Sequence, residues 1–298
     1  MDVVMLGGSD AGKTTYVSLM YRWLNDGVGG FSCGTADPRV HAALRTAGDN
    51  VLSGIYPRNT QQREVHDLIL RYQGSDVLPF RWRDYRGGVV TQPGATSAAA
   101  RELHRDLNAA DGILLFADAW RLLHGRGQDF ELHHMITSVL RALAERDKRP
   151  TPLVIVLTKF DLIEQEGPAV IHRLREPFGH LIRSASAEPH IKGAVVPLVC
   201  GRRPVNAGVP ALWVLHSGLV GLAHRLQESA DTALARGRQA ADKDTVWDRV
   251  LSRIFFEPSW RAISERAFAD HEAERTRLLP LLASAARLNP LLRSVDSF

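Results

Sequence analysis

Gly7-Gly8-Ser9-Asp10-Ala11-Gly12-Lys13-Thr14 is the stretch on which the reading of this chain turns. It fits the pattern G-x-x-x-x-G-K-[ST], and its flanks fit as well. Before it, Asp2 to Leu6 reads as a short buried strand. After it, Lys13 to about Asn25 reads as a helix with Val17, Met20, Tyr21 and Leu24 on one face, stopped by Asp26-Gly27. Glycines allow backbone N–H groups to face phosphate oxygens, and the helix start adds the positive end of its dipole. Ser9, Asp10, Ala11, Gly12, Lys13, Thr14 and Thr15 are therefore expected to line a phosphate site. Lys13 would contact the terminal phosphates, and the Thr14 hydroxyl would ligate magnesium. A glycine turn with an exposed lysine is the bland alternative, and the strand and helix on either side weigh against it.

Downstream, Phe80-Arg81-Trp82-Arg83-Asp84 ends an apolar run in an acid, followed by Tyr85-Arg86-Gly87. Ligands of open α/β sheets collect at the carboxyl ends of strands, which makes Asp84 the candidate to hold magnesium directly or through water. The Gly87 N–H is the candidate contact to a terminal phosphate, in a loop free to reorganise once that phosphate leaves. Between the two motifs lies Gly54-Ile55-Tyr56-Pro57-Arg58-Asn59-Thr60. Thr60 is the candidate to complete magnesium coordination only while the terminal phosphate is present, with Thr35 as its competitor. A threonine starting a strand is the plain alternative for Thr60.

The apolar run Leu153 to Leu157 ends in Thr158-Lys159-Phe160-Asp161. A carboxylate at Asp161 can accept hydrogen bonds from both the ring N–H and the exocyclic amine of guanine, a pair of donors that adenine lacks. The Lys159 stem can cover the purine face while its head braces the phosphate loop. Asp161 as a plain helix cap is the competing reading.

Through GGSDAGKT, Thr60, DYRG and TKFD, in this order, residues 1 to about 228 resemble the Ras-like GTPases of the translation-factor-related P-loop class. The Gly-x-Tyr-Pro-x-x-Thr approach to Thr60 and the long insert before it resemble the bacterial double-GTPase group. The resemblance implies guanine nucleotide (GTP/GDP) and Mg2+ as ligands, and Cys200-Gly201 as the loop whose backbone N–H meets the guanine oxygen. Thr158 stands where the class usually has Asn, and Cys200-Gly201 where it usually has Ser-Ala. Gly88 follows Gly87, where Ras carries the glutamine that orients the attacking water. Lacking a side chain, Gly88 cannot do so, which leaves Arg58 and Arg86 as the cations available for transition-state charge.

Two further runs, Asp67 to Tyr72 and Pro79 to Tyr85, are separated by turn residues and read as a hairpin. Pro38 to Leu52 reads as a helix, and Gly87 to Ala100 as a mobile loop. Gly112 to Asp118 and Leu153 to Leu157 read as strands covered on both faces, with a helix Glu131 to Arg146 between them. A helix around Val170 to Ser184, a strand Ala194 to Val199 and a helix Pro210 to Ser229 follow. The alternation predicts an α/β fold, a three-layer P-loop NTPase sandwich with a mostly parallel central sheet. Residues 1–229 form the expected GTP-binding domain. Residues 230–298, rich in Ala, Arg, Glu and Leu and without strand signals, form the expected helical extension. There Trp247, Val250, Leu251 and Ile254, and then Leu278, Leu279, Leu281, Leu282 and Leu288 near Pro280 and Pro290, read as a face packing back onto the domain; an effector or membrane-surface contact is the alternative, and the prolines break the regular face a membrane helix would want.

Bulk properties narrow the partners. With 45% hydrophobic residues among 298, the chain can bury a full core. An excess of 37 Lys and Arg over 33 Asp and Glu is too small to imply nucleic acid. No run is long and apolar enough for a transmembrane segment. Two cysteines far apart and a strand starting almost at Met1 suggest a reducing, cytoplasmic setting without a targeting peptide. The histidines show no metal spacing. The partners expected are a guanine nucleotide, a protein effector or activating partner, and a homo- or hetero-oligomer. An ATP-using P-loop enzyme and a GTP-binding scaffold with negligible turnover are the rival readings.

Overall fold

The computed structural model describes residues 1–57, 64–85, 98–125, 129–146, 148–167, 169–243, 260–292 and 295–298. In chain order the elements are β1 (Asp2–Gly7), α1 (Lys13–Asn25), β2 (Phe31–Gly34), α2 (Pro38–Leu52), β3 (Glu64–Tyr72), β4 (Ser75–Asp84), α3 (Ala98–Ala109), β5 (Gly112–Asp118), α4 (Ala119–His124) and α5 (Asp129–Glu145). Then come β6 (Thr151–Thr158), a 3-10 turn Phe160–Glu166, α6 (Val170–Arg175), α7 (Gly179–Ser186), β7 (Ile191–Pro197), α8 (Val209–Lys243), α9 (Trp260–Leu292) and β8 (Asp296–Ser297). The sheet runs β2-β3-β4-β1-β5-β6-β7-β8. From β4 to β7 all neighbours pair in parallel, and β2, β3 and β8 pair antiparallel at the two sides.

The central strands owe their place to composition. Every residue of β5 and β6 is buried, as is β1 from Val3 to Gly7, so these runs need cover on both faces. One face supplies Val4, Leu6, Ile113, Leu115 and Leu157 to a core closed by α3, α5, α6 and α7. On the other face the buried Tyr16 of α1 packs its ring against Trp82 and Phe116, at centroid distances of 6.3 and 5.2 Å. Its hydroxyl accepts a hydrogen bond from the Ala211 N–H at the start of α8. The Trp82 indole N–H donates to the Met5 sulfur at 2.7 Å. The result is the three-layer, mostly parallel α/β sandwich expected, with helices following at the carboxyl-terminal side.

The hairpin closes through Gln73 and Gly74, both at positive φ (49° and 81°), which is the geometry a two-residue turn needs to match strand twist. Several elements depart from the sequence reading. β2, which the sequence did not predict, adds an edge strand on β3; with only four residues it shows no readable alternation. α3 starts at Ala98, inside the stretch read as loop, and α4 follows β5 directly, capped by Asp118. β8 lies in a region read as lacking strands; its two residues pair with Ala194 and Val195 of β7. α9 continues through Pro280 with Leu278 and Leu281 buried, since one missing N–H leaves most of the helical bonds intact. Trp247, Val250, Leu251 and Ile254 lie outside the described residues.

By contact density the chain divides into two units, Met1–Gly218 with Leu288–Phe298, and Leu219–Arg287. Within the second, α8 and α9 pair antiparallel: the Ser264 hydroxyl donates to the Gly237 carbonyl at 3.0 Å, and His271 Nδ1 lies 2.8 Å from the Ala230 carbonyl. Among the described residues, no helix is long and apolar enough to cross a membrane.

Phe116 is fully buried at the junction of β1, β5 and α1. Phe116→Ala is expected to lower stability by about 3–5 kcal/mol, the usual cost of emptying such a site. Urea denaturation with an unchanged m-value measures it.

Candidate functional site

Parallel register brings the site together. Met5 pairs with Asp84, Gly7 with Phe116, Asp118 with Thr158 and Leu157 with Pro197. The loops leaving β4, β1, β5, β6 and β7 therefore emerge side by side, at the strand ends where open α/β sheets bind ligands.

In the loop after β1, Gly12 adopts φ 80° and Asp10 φ 64°. A left-handed turn followed by a helix start is a nest of N–H groups, built for an anion. A Cβ at Gly8 would lie 2.7 Å from Glu131 Oε2, so α5 holds this loop from behind. Lys13 is buried, and its ammonium donates to the Gly7 and Gly8 carbonyls at 3.0 and 3.3 Å. Burial lowers its pKa, opposed by the charges of Asp84, Asp10 and Glu131. Ser9 and Asp10 are exposed, Ala11 is buried, and Thr15 stands in the first turn of α1.

Asp84 is 1% exposed at the end of β4, and its Oδ2 accepts a hydrogen bond from the Thr14 hydroxyl at 3.1 Å. Its Oδ1 is buried without a hydrogen-bond partner among the described residues. Burial pushes the carboxyl up to about 6, against the pull of Lys13 and of the Thr14 hydrogen bond. A buried carboxylate oxygen with no donor, next to a hydroxyl and backed by an ammonium, is an incomplete arrangement. The pair Thr14 and Asp84 fits a hard cation, which takes oxygen ligands and would satisfy the orphaned atom.

At the other corner, the Thr158 hydroxyl is 3.0 Å from the Ala11 carbonyl and 3.2 Å from that of Ala117, tying β6 to the phosphate loop. Lys159, at φ 54°, places its ammonium 2.6 Å from Asp118 Oδ2. This corrects the expectation that its head reaches the phosphate loop itself. The buried carboxylate ending β5 lies within reach and attracts it more strongly than neutral carbonyls do. Arg121 then connects Asp118 to the loop, donating to the Ser9 carbonyl at 3.1 Å. Sequence reasoning missed Asp118 and Arg121, although an acid closing an apolar strand was the same signal that singled out Asp84.

Asp161 lies in the first turn of the 3-10 segment with its side chain exposed. No side chain caps that segment, which removes the capping alternative. The Phe160 N–H donates to the Leu198 carbonyl, bringing this turn beside the loop after β7. Asp161 is close enough for its charge to add to the burial that pushes the Cys200 thiol up to about 12. Gly201 lies next to Tyr56, whose hydroxyl would be 3.1 Å from a Cβ there. Tyr56 is 57% exposed and entered the sequence reading only as part of the approach to Thr60.

Thr35 follows β2, and its hydroxyl accepts from the Asp37 N–H at 3.4 Å in the turn before α2. β2 ends opposite Ile69, five residues along β3 from Glu64, the partner of Asp84. That span is about 17 Å of strand, so Thr35 is engaged elsewhere. Arg58, Thr60, Arg86, Gly87 and Gly88 lie outside the described residues.

A mostly parallel sheet with a G-x-x-x-x-G-K-T loop after its central strand and an acid ending the neighbouring strand is the arrangement of a P-loop NTPase α/β fold. Residues 4–130 match the family model described as Double-GTPase 1, in agreement with the resemblance in the sequence. None of the curated proteins compared with the chain matches it. Solved structures similar to it include the signal recognition particle receptor SRb-GTP/SRX complex from Chaetomium thermophilum, at 15% identity over 73% of this chain and 97% of that chain, with a TM-score of 0.43. Another is the Arl6 BBS3 small GTPase from Trypanosoma brucei with a bound GppNp analogue, at 14% identity over 74% and 98% and a TM-score of 0.41. A third is the ADP-ribosylation-factor-like SAR1 GTPase from Encephalitozoon cuniculi in complex with GDP, at 13% identity over 73% and 81% and a TM-score of 0.36.

A carboxyl whose folded pKa is raised favours folding below its unfolded value and loses that contribution as pH rises through the folded one. For Asp84 the window runs from about pH 4 to the folded value of about 6. In chelator and without nucleotide, Asp84→Asn is therefore expected to be more stable than the parent at pH 7, by about 2–3 kcal/mol. The gap should close as pH falls to 4 in denaturation series run at each pH.

Proposed function

We propose that the chain is a guanine-nucleotide-binding molecular switch that binds GTP with magnesium and hydrolyses it to GDP and phosphate. The observation that carries this reading is the common row of strand ends. It holds the Thr14–Asp84 corner on one side of the phosphate loop and the Thr158-Lys159-Phe160-Asp161 corner with Cys200-Gly201 on the other.

Backbone N–H groups from Ser9 to Thr15 receive the phosphates, and the Lys13 ammonium leaves the Gly7 and Gly8 carbonyls for terminal phosphate oxygens. Thr14 and Asp84 would hold magnesium, with Thr60 joining them in the triphosphate state, and the ion would supply charge neutralisation at the phosphates. The exposed Asp161 carboxylate makes no hydrogen bond or ion pair with the described residues and is free to accept both edge donors of guanine. The N–H groups of Cys200 and Gly201 receive its oxygen, and Tyr56 covers the base from the side of the Thr60 loop.

In hydrolysis, in-line attack of water on the terminal phosphorus breaks its bond to the bridging oxygen, and GDP leaves with charge developing on that oxygen. Lys13 meets this charge, and Gly87 holds the terminal phosphate. Arg58 and Arg86 are assigned to transition-state charge. With Gly88 after Gly87, no side chain at that position orients the water, so turnover is slow until a protein partner completes the site. The chain acts in the cytoplasm, with the loops around Thr60 and Gly87 presenting different surfaces to that partner in the two nucleotide states.

Calorimetric titration with GDP, a non-hydrolysable GTP analogue and their adenine counterparts tests the reading. Guanine is expected to be favoured by about 100-fold, the worth of two hydrogen bonds to a charged acceptor. Asp161→Asn should erase most of that preference, and Lys13→Ala should weaken both nucleotide families by more than about tenfold. Equal or better binding of ATP would point instead to an ATP-using enzyme. Single-turnover phosphate release should be slow; its complete absence, with and without partners, would favour a GTP-binding scaffold.

A further inference from the structure

The guanine-nucleotide reading assigns the phosphate loop and the base loop separately, and one buried side chain joins them. Asp118 ends β5, which lies between β1 and β6 in the sheet, so its carboxylate stands between the loop that follows β1 and the turn that follows β6. It is 5% exposed, and both of its oxygens are engaged. Oδ2 is 2.6 Å from the Lys159 ammonium, and Oδ1 accepts the Arg121 N–H at 3.0 Å. The Arg121 guanidinium reaches back, its Nε 3.7 Å from Asp118 Oδ2. It also reaches forward, donating to the Ser9 carbonyl at 3.1 Å and lying 3.6 Å from the Asp10 carboxylate.

The two ends of this chain of contacts have something in common. Asp10 and Lys159 are both non-glycine residues in the left-handed region, at φ 64° and 54°. Such residues persist where their surroundings hold them, and here the holding groups converge on one carboxylate. Lys159 stands two residues before Asp161, and the Phe160 N–H between them is fixed to Leu198. A change in where the Lys159 head is anchored therefore alters the backbone that presents the base-reading carboxylate.

We propose that Asp118 is a positioning and specificity-determining residue that couples recognition of the guanine base, through Lys159, to the geometry of the phosphate loop, through Arg121. This inference rests on the guanine-nucleotide reading. The rival explanation is that Asp118 merely caps α4. Asp118→Asn separates the two, because an amide oxygen still accepts the Arg121 N–H while the charge that anchors Lys159 is gone.

The experiment is a set of double-mutant cycles on the full chain, with fluorescently labelled GDP and ADP as probes. Asp118→Asn, Lys159→Met and Arg121→Met are measured singly and in pairs. Asp118→Asn should weaken GDP about tenfold and narrow the GDP-to-ADP ratio, and its pairing with Lys159→Met should bind no more than about twofold worse than Lys159→Met alone. Arg121→Met leaves the cap and the Lys159 pair in place, yet should also lower GDP affinity and couple to Asp118→Asn. Multiplicative losses in both cycles, or an Asp118→Asn protein with parental affinity and base preference, would overturn the inference while leaving the guanine-nucleotide reading intact. A parent protein that binds ADP as tightly as GDP would remove both. Melting without nucleotide identifies a variant that has lost its fold, and the solvent-accessible Arg121→Met then decides the outcome.

Discussion

A strand buried on both faces and hydrogen-bonded on both edges can exchange contacts with a ligand only where it ends. β1 is such a strand, with β4 on one side and β5 on the other, each parallel to it. Because parallel register fixes how far each neighbour extends, Asp84 and Asp118 come to rest on either side of the loop that β1 releases. Everything else in the site depends on this alignment. The Thr14 hydroxyl meets Asp84 because α1 begins where β1 stops, and Lys159 meets Asp118 because β6 is in register with β5. The aromatic packing of Tyr16, Trp82 and Phe116 behind the loop holds that register firmly.

The two carboxylates have different surroundings and different consequences. Asp118 has cationic partners on both sides, so its charge is balanced within the protein. Asp84 has Lys13 nearby and one hydroxyl donor, and burial outweighs both, raising its pKa. One carboxylate is completed by the fold, and the other keeps a buried oxygen without a hydrogen-bond partner among the described residues. The same contrast separates Asp161, exposed and without hydrogen bonds to the described residues, from the acids that serve as caps elsewhere, such as Asp37 at the start of α2.

Much of this was legible beforehand. β1, α1 and α2 follow from apolar period, a proline at a helix start and an acid cap, all of which are local. The hairpin turn at Gln73-Gly74 could be read because glycine there relieves a positive φ. β2 and β8 could not be read in the same way. Strands of four and two residues carry too little alternation to register, and they exist because an edge of the sheet offers them partners. α3 could not be read for a different reason: its start, Ala98-Ala99-Ala100, is helix-favouring but adjoins the Gly-, Thr- and Ser-containing stretch before it, and only the burial of Leu103 and Leu107 shows which face the helix uses.

The sequence alone determined the chemistry available: a glycine-rich loop ahead of Lys13 and Thr14, an acid closing the strand at Asp84, and Thr158-Lys159-Phe160-Asp161 closing another. These are properties of residue type and of spacing within a few positions, which the local backbone enforces. Only the tertiary structure decided which of these groups meet. Asp118 was plain in the sequence as the last residue of an apolar run, but its role as anchor for Lys159 depends on a pairing 41 residues apart. Thr158 reaches Ala11 across 147 residues, and Tyr56 stands beside Gly201 only because the connection from α2 to β3 passes the loop after β7. Contacts of that range are set by strand order and register, which arise from how buried faces share a core and leave no mark in any one stretch of chain.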